Sequence, residues 1–451
     1  MKNKSTSNLG TKDIKSLLLE QSIPASIGIL VMSLNMMVDT IFVGKWIGPM
    51  AIGAITVVMP IIFLISSIGM SIGIGGSSII SRALGSGDND KAQLTFGNQI
   101  MFSATTSILF VVFGLVFENQ FLHLFGAKGE ILAPAKEYFG IVLICVPFLA
   151  LAMTGNTIIR AEGQPKYAMF ALIIPAVVNI VLDYVFIFKM NLGMAGAAYA
   201  TGISFMMSFG FILWFFISKN STLILKFKYL IFDWQIIKDI SSLGVVTLAR
   251  QGAVSLLAIV INHTLFQYDG EIAIAVYGII SRLLMFGLFP IMGLTQGFLP
   301  IAGYNYGAEK YDRVHQSINK SLKYSTAIAL CIFVIIMVFP TQIVGIFTDN
   351  TEILAKTPNA LRIVFAITPL ISVQLIGSGY FQAIGKAFPA LMLTLTKQGF
   401  FLIPLILILP KYVGIIGIWA AFPIADLSST IITYYFLRKE IRLNLEPKES
   451  I

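Results

Sequence analysis

The residues that could do chemistry in this chain are few, and they stand where charge is expensive. Asp39 lies inside an apolar run, Ile23 to Ile47, that is long enough to cross a bilayer, since about 20 apolar residues suffice. A carboxylate at that depth costs roughly 2.5–3.5 kcal/mol on insertion scales, and residues kept there usually face a polar cavity and act in it. Asn35 sits one helical turn earlier on the same face. Further on, Pro175-Ala-Val-Val-Asn179-Ile-Val-Leu-Asp183 sets an amide and a second carboxylate on one face, beside a proline that frees a backbone carbonyl. Asn156 and Thr201 add an amide and a hydroxyl in neighbouring apolar runs. Two carboxylates, an amide oxygen and a hydroxyl suit a hard monovalent cation. They suit a proton equally, because two close carboxylates in a low dielectric cannot both stay ionised. Alone, Asp39 could be a polar residue near a helix end or the partner of a cation. Together these side chains point to an ion site in the first half.

The elements that must position them are membrane helices. Of 451 residues, 57 % are hydrophobic and 12 % charged, against about 45–50 % and 25 % in soluble domains. The chain reads as an all-α integral membrane protein with twelve transmembrane helices, at 22–44, 50–80, 97–117, 138–159, 167–188, 195–217, 242–266, 272–302, 324–346, 362–384, 388–410 and 413–437. We number these spans 1 to 12. An even number puts both termini on one side. Loops on that side hold about 21 Lys and Arg, among them Lys12, Lys91, Lys166, Lys228 and Arg313, and the opposite loops about 7. That excess predicts a multi-pass protein of the cell membrane with both termini in the cytoplasm. It also accounts for the net charge of +9 without any nucleic-acid partner. No signal peptide is expected, because Lys2, Lys4, Lys12 and Lys15 precede a full-length span. Cys145 and Cys331 fall inside apolar runs, which argues against a disulfide framework or a metal cluster.

The two halves repeat. Adding 222 to a position in the first half finds its counterpart: Glu130-Ile-Leu-Ala133 returns as Glu352-Ile-Leu-Ala355, Pro147 as Pro369, Gly155 as Gly377, Gly75 as Gly297 and Lys91 as Arg313. Six spans per copy give both copies the same orientation, so two six-helix bundles related by a pseudo-two-fold axis along the membrane normal are expected. The domains are then an N-lobe, 1–218, a cytoplasmic linker, 219–241, and a C-lobe, 242–451. Runs of small residues, such as Gly69, Gly73, Gly75 and Gly76, fit close helix packing.

The copies differ in chemistry. The register sets Ile261 opposite Asp39 and apolar side chains opposite the span 5 pair. Buried charge in the second half is Arg250, Arg282, Lys397 and Asp426. Arg250, Lys397 and Asp426 form a candidate charge network, either as structural glue or along a substrate path. Asn35, Met37, Asn156 and Arg282 are candidates for a substrate pocket. Met36, Met37, Met153, Phe170, Met285 and Phe286 could supply adaptable walls, since Met repacks easily.

Several strings resemble the multidrug and toxic compound extrusion (MATE) family, in the branch named for DNA-damage-inducible protein F. They are Asp39-Thr-Ile-Phe-Val-Gly44, Ser81-Arg-Ala-Leu-Gly85, Arg160-Ala-Glu-Gly163-Gln-Pro165, Asn179-x-x-x-Asp183, Gly193-x-x-Gly196-Ala-Ala-x-Ala-Thr201 and Lys397-Gln398. The resemblance implies a secondary active efflux transporter, not an enzyme, and no cofactor. Its substrates would be cationic amphipathic small molecules, exported by H+ or Na+ antiport through alternating access of two lobes, in a monomer embedded in the lipid bilayer. It also implies Asp39, Asn179, Asp183 and Thr201 as the coupling site, which would ligate Na+ if that is the ion.

Two rival readings remain at this level. A flippase for lipid-linked saccharides shares such repeated bundles and would use Arg250, Arg282 and Lys397 in a cationic cavity. Gly85-Ser-Gly87-Asp88 is a literal GxGD, the string of one type of intramembrane aspartyl protease, although Asp88 stands among Arg82, Asp90 and Lys91 in a polar turn.

Overall fold

The computed structural model describes residues 4–445. Among these residues eleven helices are long and apolar enough to cross a membrane: Ile14–Trp46, Met50–Ser86, Asn89–Val116, Gly129–Ala161, Pro165–Lys189, Gly193–Ile217, Trp234–Gly307, Tyr311–Val338, Thr351–Ala383, Ala387–Val413 and Ile415–Asn444. The 74-residue Trp234–Gly307 leaves helical geometry at Asp269 (φ −150°, ψ 20°) and Gly270 (φ 64°, ψ −146°). At 1.5 Å per residue an unbroken helix of that length would reach about 110 Å, several bilayers deep. Its two limbs, 234–268 and 271–307, are therefore spans 7 and 8, and the count is twelve. Asp269 and Gly270 make the reversal together, and the second position calls for glycine because a positive φ paired with ψ near −146° strains any side chain.

The helices pack as two compact units. One holds Ile27–Thr247 with the residues up to Thr11; the other holds Lys12–Ser26 and the chain from Leu248 onward. The division thus falls inside spans 1 and 7, with the linker 219–241 wholly in the first unit, and glycines explain it. In the second unit, Gly293 and Gly297 of span 8 lie so close to Ser26 and Ser22 that a Cβ at Gly297 would sit 2.8 Å from the Ser22 nitrogen. In the first unit, Gly75 of span 2 meets the carbonyl of Ile240, and a Cβ on Gly244 would be 2.8 Å from the Ser71 carbonyl oxygen. The two interlocks are the same one in two copies, since Gly75 maps to Gly297 and Ser22 to Gly244 under the 222 register. Pro24, inside the helix at this point, removes one backbone hydrogen bond where span 1 changes unit.

In the first unit span 4 is central and packs against spans 2, 3 and 6. Its buried face, Tyr138, Phe139, Val142, Leu143 and Val146, meets Ala51, Ala54, Val58 and Ile61 of span 2. The second unit builds its core at the equivalent positions: Ala273, Val276 and Ile280 of span 8 against Leu361, Val364 and Phe365 of span 10. Span 5 ends in a wide π-turn, Tyr184–Lys189, directly after Asp183. Span 11 has another at Thr396–Leu402. Such turns insert an extra residue per turn and are frequent at functional sites.

Candidate functional site

A cavity of about 160 Å³ opens in the first unit, lined by five spans. Span 1 supplies Met32, Asn35, Met36 and Asp39, which recur at helical spacing on one face. Span 2 adds Met59, Ile62, Phe63 and Ser66; span 4 adds Tyr138, Leu149 and Met153; span 5 adds Asn179; span 6 adds Thr201, Ser204 and Phe205. Asp183, one turn beyond Asn179, is fully buried, and its carboxyl group neighbours that of Asp39. Tyr138 Oη is 3.4 Å from Thr201 Oγ1, and Ser204 Oγ donates to the Thr201 carbonyl at 2.6 Å.

No protein donor among the described residues reaches Asn35 Oδ1, Asp39 Oδ1 or either oxygen of Asp183. No Lys or Arg among the described residues lines the cavity. Leaving buried carboxylate oxygens without donors is costly in an apolar interior. A proton shared between the two, or a small cation held by their oxygens with the Asn179 amide and a hydroxyl, removes that cost. The arrangement is chemically an oxygen-rich pocket with two carboxyl groups and no lining Lys or Arg, which suits positive charge.

Of the side chains singled out from sequence, Asn35, Asp39, Asn179, Asp183 and Thr201 come together here. Met37 does not: it sits about 200° around the helix from Asn35 and is half exposed on the opposite face, whereas Met36 lines the cavity. Asn156 is also elsewhere. Its amide donates to the Ala168 carbonyl at 2.5 Å and its Oδ1 accepts from Arg160 Nε at 3.1 Å, so it ties span 4 to span 5. Arg282 belongs to the second unit and is exposed. Lys397 and Asp426 form an ion pair at 2.5 Å, but Arg250 makes no ion pair among the described residues and is not part of it. Asp88 caps span 3, accepting from Lys91 N at 3.0 Å, the ordinary role of an Asp before a helix.

Tyr138 and Ser66 were not visible as cavity residues in the sequence, because one tyrosine or serine in an apolar run gives no signal of the direction it faces, whereas Met153, expected as an adaptable wall, does line the cavity. Glu162 is a further omission. It is fully buried just past span 4, and its carboxylate accepts from Ser221 Oγ at 2.8 Å, Leu223 N at 2.9 Å and Thr222 N at 3.3 Å. Its own carbonyl accepts from Thr6 Oγ1 at 3.0 Å. Glu162 thus clamps the start of the linker and the N-terminal helix Lys4–Asn8 to span 4. Burial pushes its carboxyl up to about 7, partly offset by those donors.

Known proteins share this architecture. A multidrug export protein MepA of Staphylococcus saprophyticus is 28 % identical over 417 residues, 92 % of each chain. Solved structures superpose closely. An outward-facing multidrug resistance MATE family transporter of the MOP superfamily matches with a TM-score of 0.92, 27 % identity, and coverage of 98 % of this chain and 99 % of that one. A MATE crystal structure in a bent conformation matches with a TM-score of 0.93, 27 % identity, and 98 % coverage of both chains. The MatE family model matches residues 24–185 and again 248–408, one copy on each repeat. With most of both repeats matched, the chain belongs to the MatE family.

Proposed function

We propose that this chain exports cationic amphipathic small molecules in exchange for H+ or Na+, with Asp39, Asn179, Asp183 and Thr201 as the coupling site. As a MatE family member the chain is a multi-pass membrane transporter and not an enzyme. The observation that carries the finer reading is the pair of facing carboxyl groups, Asp39 and Asp183, beside a cavity without a lining cation. Relatives named multidrug export proteins support the substrate class. A drug cation entering the ionised pocket gains electrostatically what the two carboxylates lack. Arrival of H+ or Na+ neutralises the pocket and displaces the drug. For this exchange to drive alternating access, the ion must bind the inward- and outward-open states with different affinity. Met32, Met36, Met59 and Met153 give walls that repack around varied apolar bodies. We place the protein in the cell membrane as a monomer with both termini in the cytoplasm, following the distribution of Lys and Arg among the loops. An acidic cavity disfavours the anionic headgroup that a saccharide-lipid flippase must hold.

Transport of a fluorescent cation into inverted vesicles, driven in turn by a proton and a sodium gradient, tests the proposal. Asp39→Asn is expected to abolish gradient-driven export while leaving the protein folded. Full export by that variant removes Asp39 from the mechanism.

A further inference from the structure

We propose that the segment joining the two repeats, 219–241, is an interfacial anchor that holds a lipid surface bearing anionic headgroups. Its side chains are sorted in an unusual way. Phe227 is 93 % exposed and Trp234 79 %, with Phe232, Ile224 and Ile231 about half exposed. Lys219, Lys226, Lys228 and Lys238 are exposed among them. Against these four lysines stand two acidic residues, and Asp233 is engaged as a helix cap, accepting from Gln235 N at 3.0 Å and Ile236 N at 3.2 Å.

This exposure does not come from a loose loop. The backbone is fastened to the first unit along its length. Leu223 N donates to Glu162, Ile224 N to Gln93 Oε1 at 3.0 Å, and Asp233 N to Asn98 Oδ1 at 2.7 Å. Gly97 of span 3 has no Cβ, which leaves room for the Tyr229 carbonyl. A segment held this firmly could have turned its aromatic side chains inward, and it presents them outward.

The occupant follows from composition and place. The segment starts at the end of span 6, Ile217, and runs into the helix that begins at Trp234, so it lies at the level where two spans leave the hydrocarbon. Trp and Phe interleaved with Lys is the mixture that suits the headgroup boundary: rings sit among the headgroups while lysine stems lie along apolar surface with the ammonium outward. Clusters of Lys beside a span attract anionic lipid. The sign of the leaflet rests on the cytoplasmic placement proposed above. Vesicles with anionic lipid in both leaflets make the test independent of it, and of transport.

Full-length protein carrying Cys145→Ala and Cys331→Ser would be spin-labelled singly at Phe227→Cys, Trp234→Cys and, as an aqueous reference at the exposed start of the helix Asn89–Val116, Asn89→Cys. Each is reconstituted in phosphatidylcholine with and without phosphatidylglycerol. Relaxation by lipid-soluble oxygen, relative to an aqueous nickel chelate, should be several-fold higher at 227 and 234 than at 89, and higher still with phosphatidylglycerol. Lys226→Gln with Lys228→Gln should move both labels toward the reference value. Ratios equal to the reference in both vesicle types overturn the proposal. So does a depth that ignores phosphatidylglycerol and the lysine changes, or labels immobilised by a second copy of the chain in detergent.

Discussion

Asp39 and Asp183 come from spans 1 and 5, and neither is a site until the fold sets their carboxyl groups against each other. Their legibility in the sequence came from cost: a carboxylate kept in an apolar run needs a reason. The same reasoning failed at Asn156, where the i,i+4 partner Arg160 was the better clue, and at Met37, where face geometry separates it from Asn35. Glu162 was unreadable for the opposite reason. It lies in a polar turn where a carboxylate looks ordinary, and only the fold buries it. Its clamp should depend on pH. Released, Glu162 has the ordinary value of 4.5; clamped, burial raises it to about 7. Between those values the clamped form binds more protons, so the stabilisation is fully present below about 4.5 and is lost as pH rises to about 7. The shift corresponds to on the order of 3 kcal/mol. Amide exchange across 219–225, corrected for intrinsic rate, should therefore rise between about pH 4.5 and 7, and Glu162→Gln should flatten the rise. An unchanged slope in that variant would assign the dependence to another group.

At the scale of elements, apolar length gave the spans, and small-residue runs announced close packing without saying which helices meet. Period and composition part spans 7 and 8 at 267–271, but they cannot show that span 1 changes unit near its proline or that the reversal turns on Asp269 and Gly270. The π-turns after Asp183 and at Lys397 are equally silent, because one inserted backbone residue leaves the apolar pattern intact. What decides the packing is contact at a few glycines. Gly297→Ala would put a Cβ 2.6 Å from Ser22 Oγ and 2.8 Å from its backbone nitrogen. Backbone cannot give way as a flexible side chain can, and overpacking of this kind costs about 1–3 kcal/mol. The melting temperature in detergent should fall by several degrees, at roughly 2–4 °C per kcal/mol for a unit of this size. Gly210→Ala on span 6, where an added Cβ meets nothing within 4 Å, should leave it unchanged. Equal melting of the two variants would refute the interlock.

Across the whole molecule the two repeats share a core and divide the chemistry. Ala51 and Ala273, Val58 and Ile280, Val142 and Val364 are buried at matching positions, while the buried Asp39 has the buried Ile261 as its counterpart. Duplication preserved what holds a bundle together and left the rest free to diverge. In the first unit the carboxylates have no cationic partner among the described residues. In the second, Asp426 is neutralised by Lys397 at 2.5 Å, with side chains 6 % and 13 % exposed. A carboxylate with a resident ammonium has little to offer a passing ion, so coupling should reside in the first unit alone and the Lys397–Asp426 pair should be structural. Removing one member of a buried pair leaves an unpaired charge and costs about 3–5 kcal/mol, whereas replacing both with apolar side chains of similar size is often neutral. Lys397→Met alone should therefore lower thermal stability sharply. Lys397→Met combined with Asp426→Leu should recover most of it and export a fluorescent cation at close to the parent rate. A double variant that is stable yet fails to transport would place this pair in the transport cycle and overturn the division of labour between the repeats.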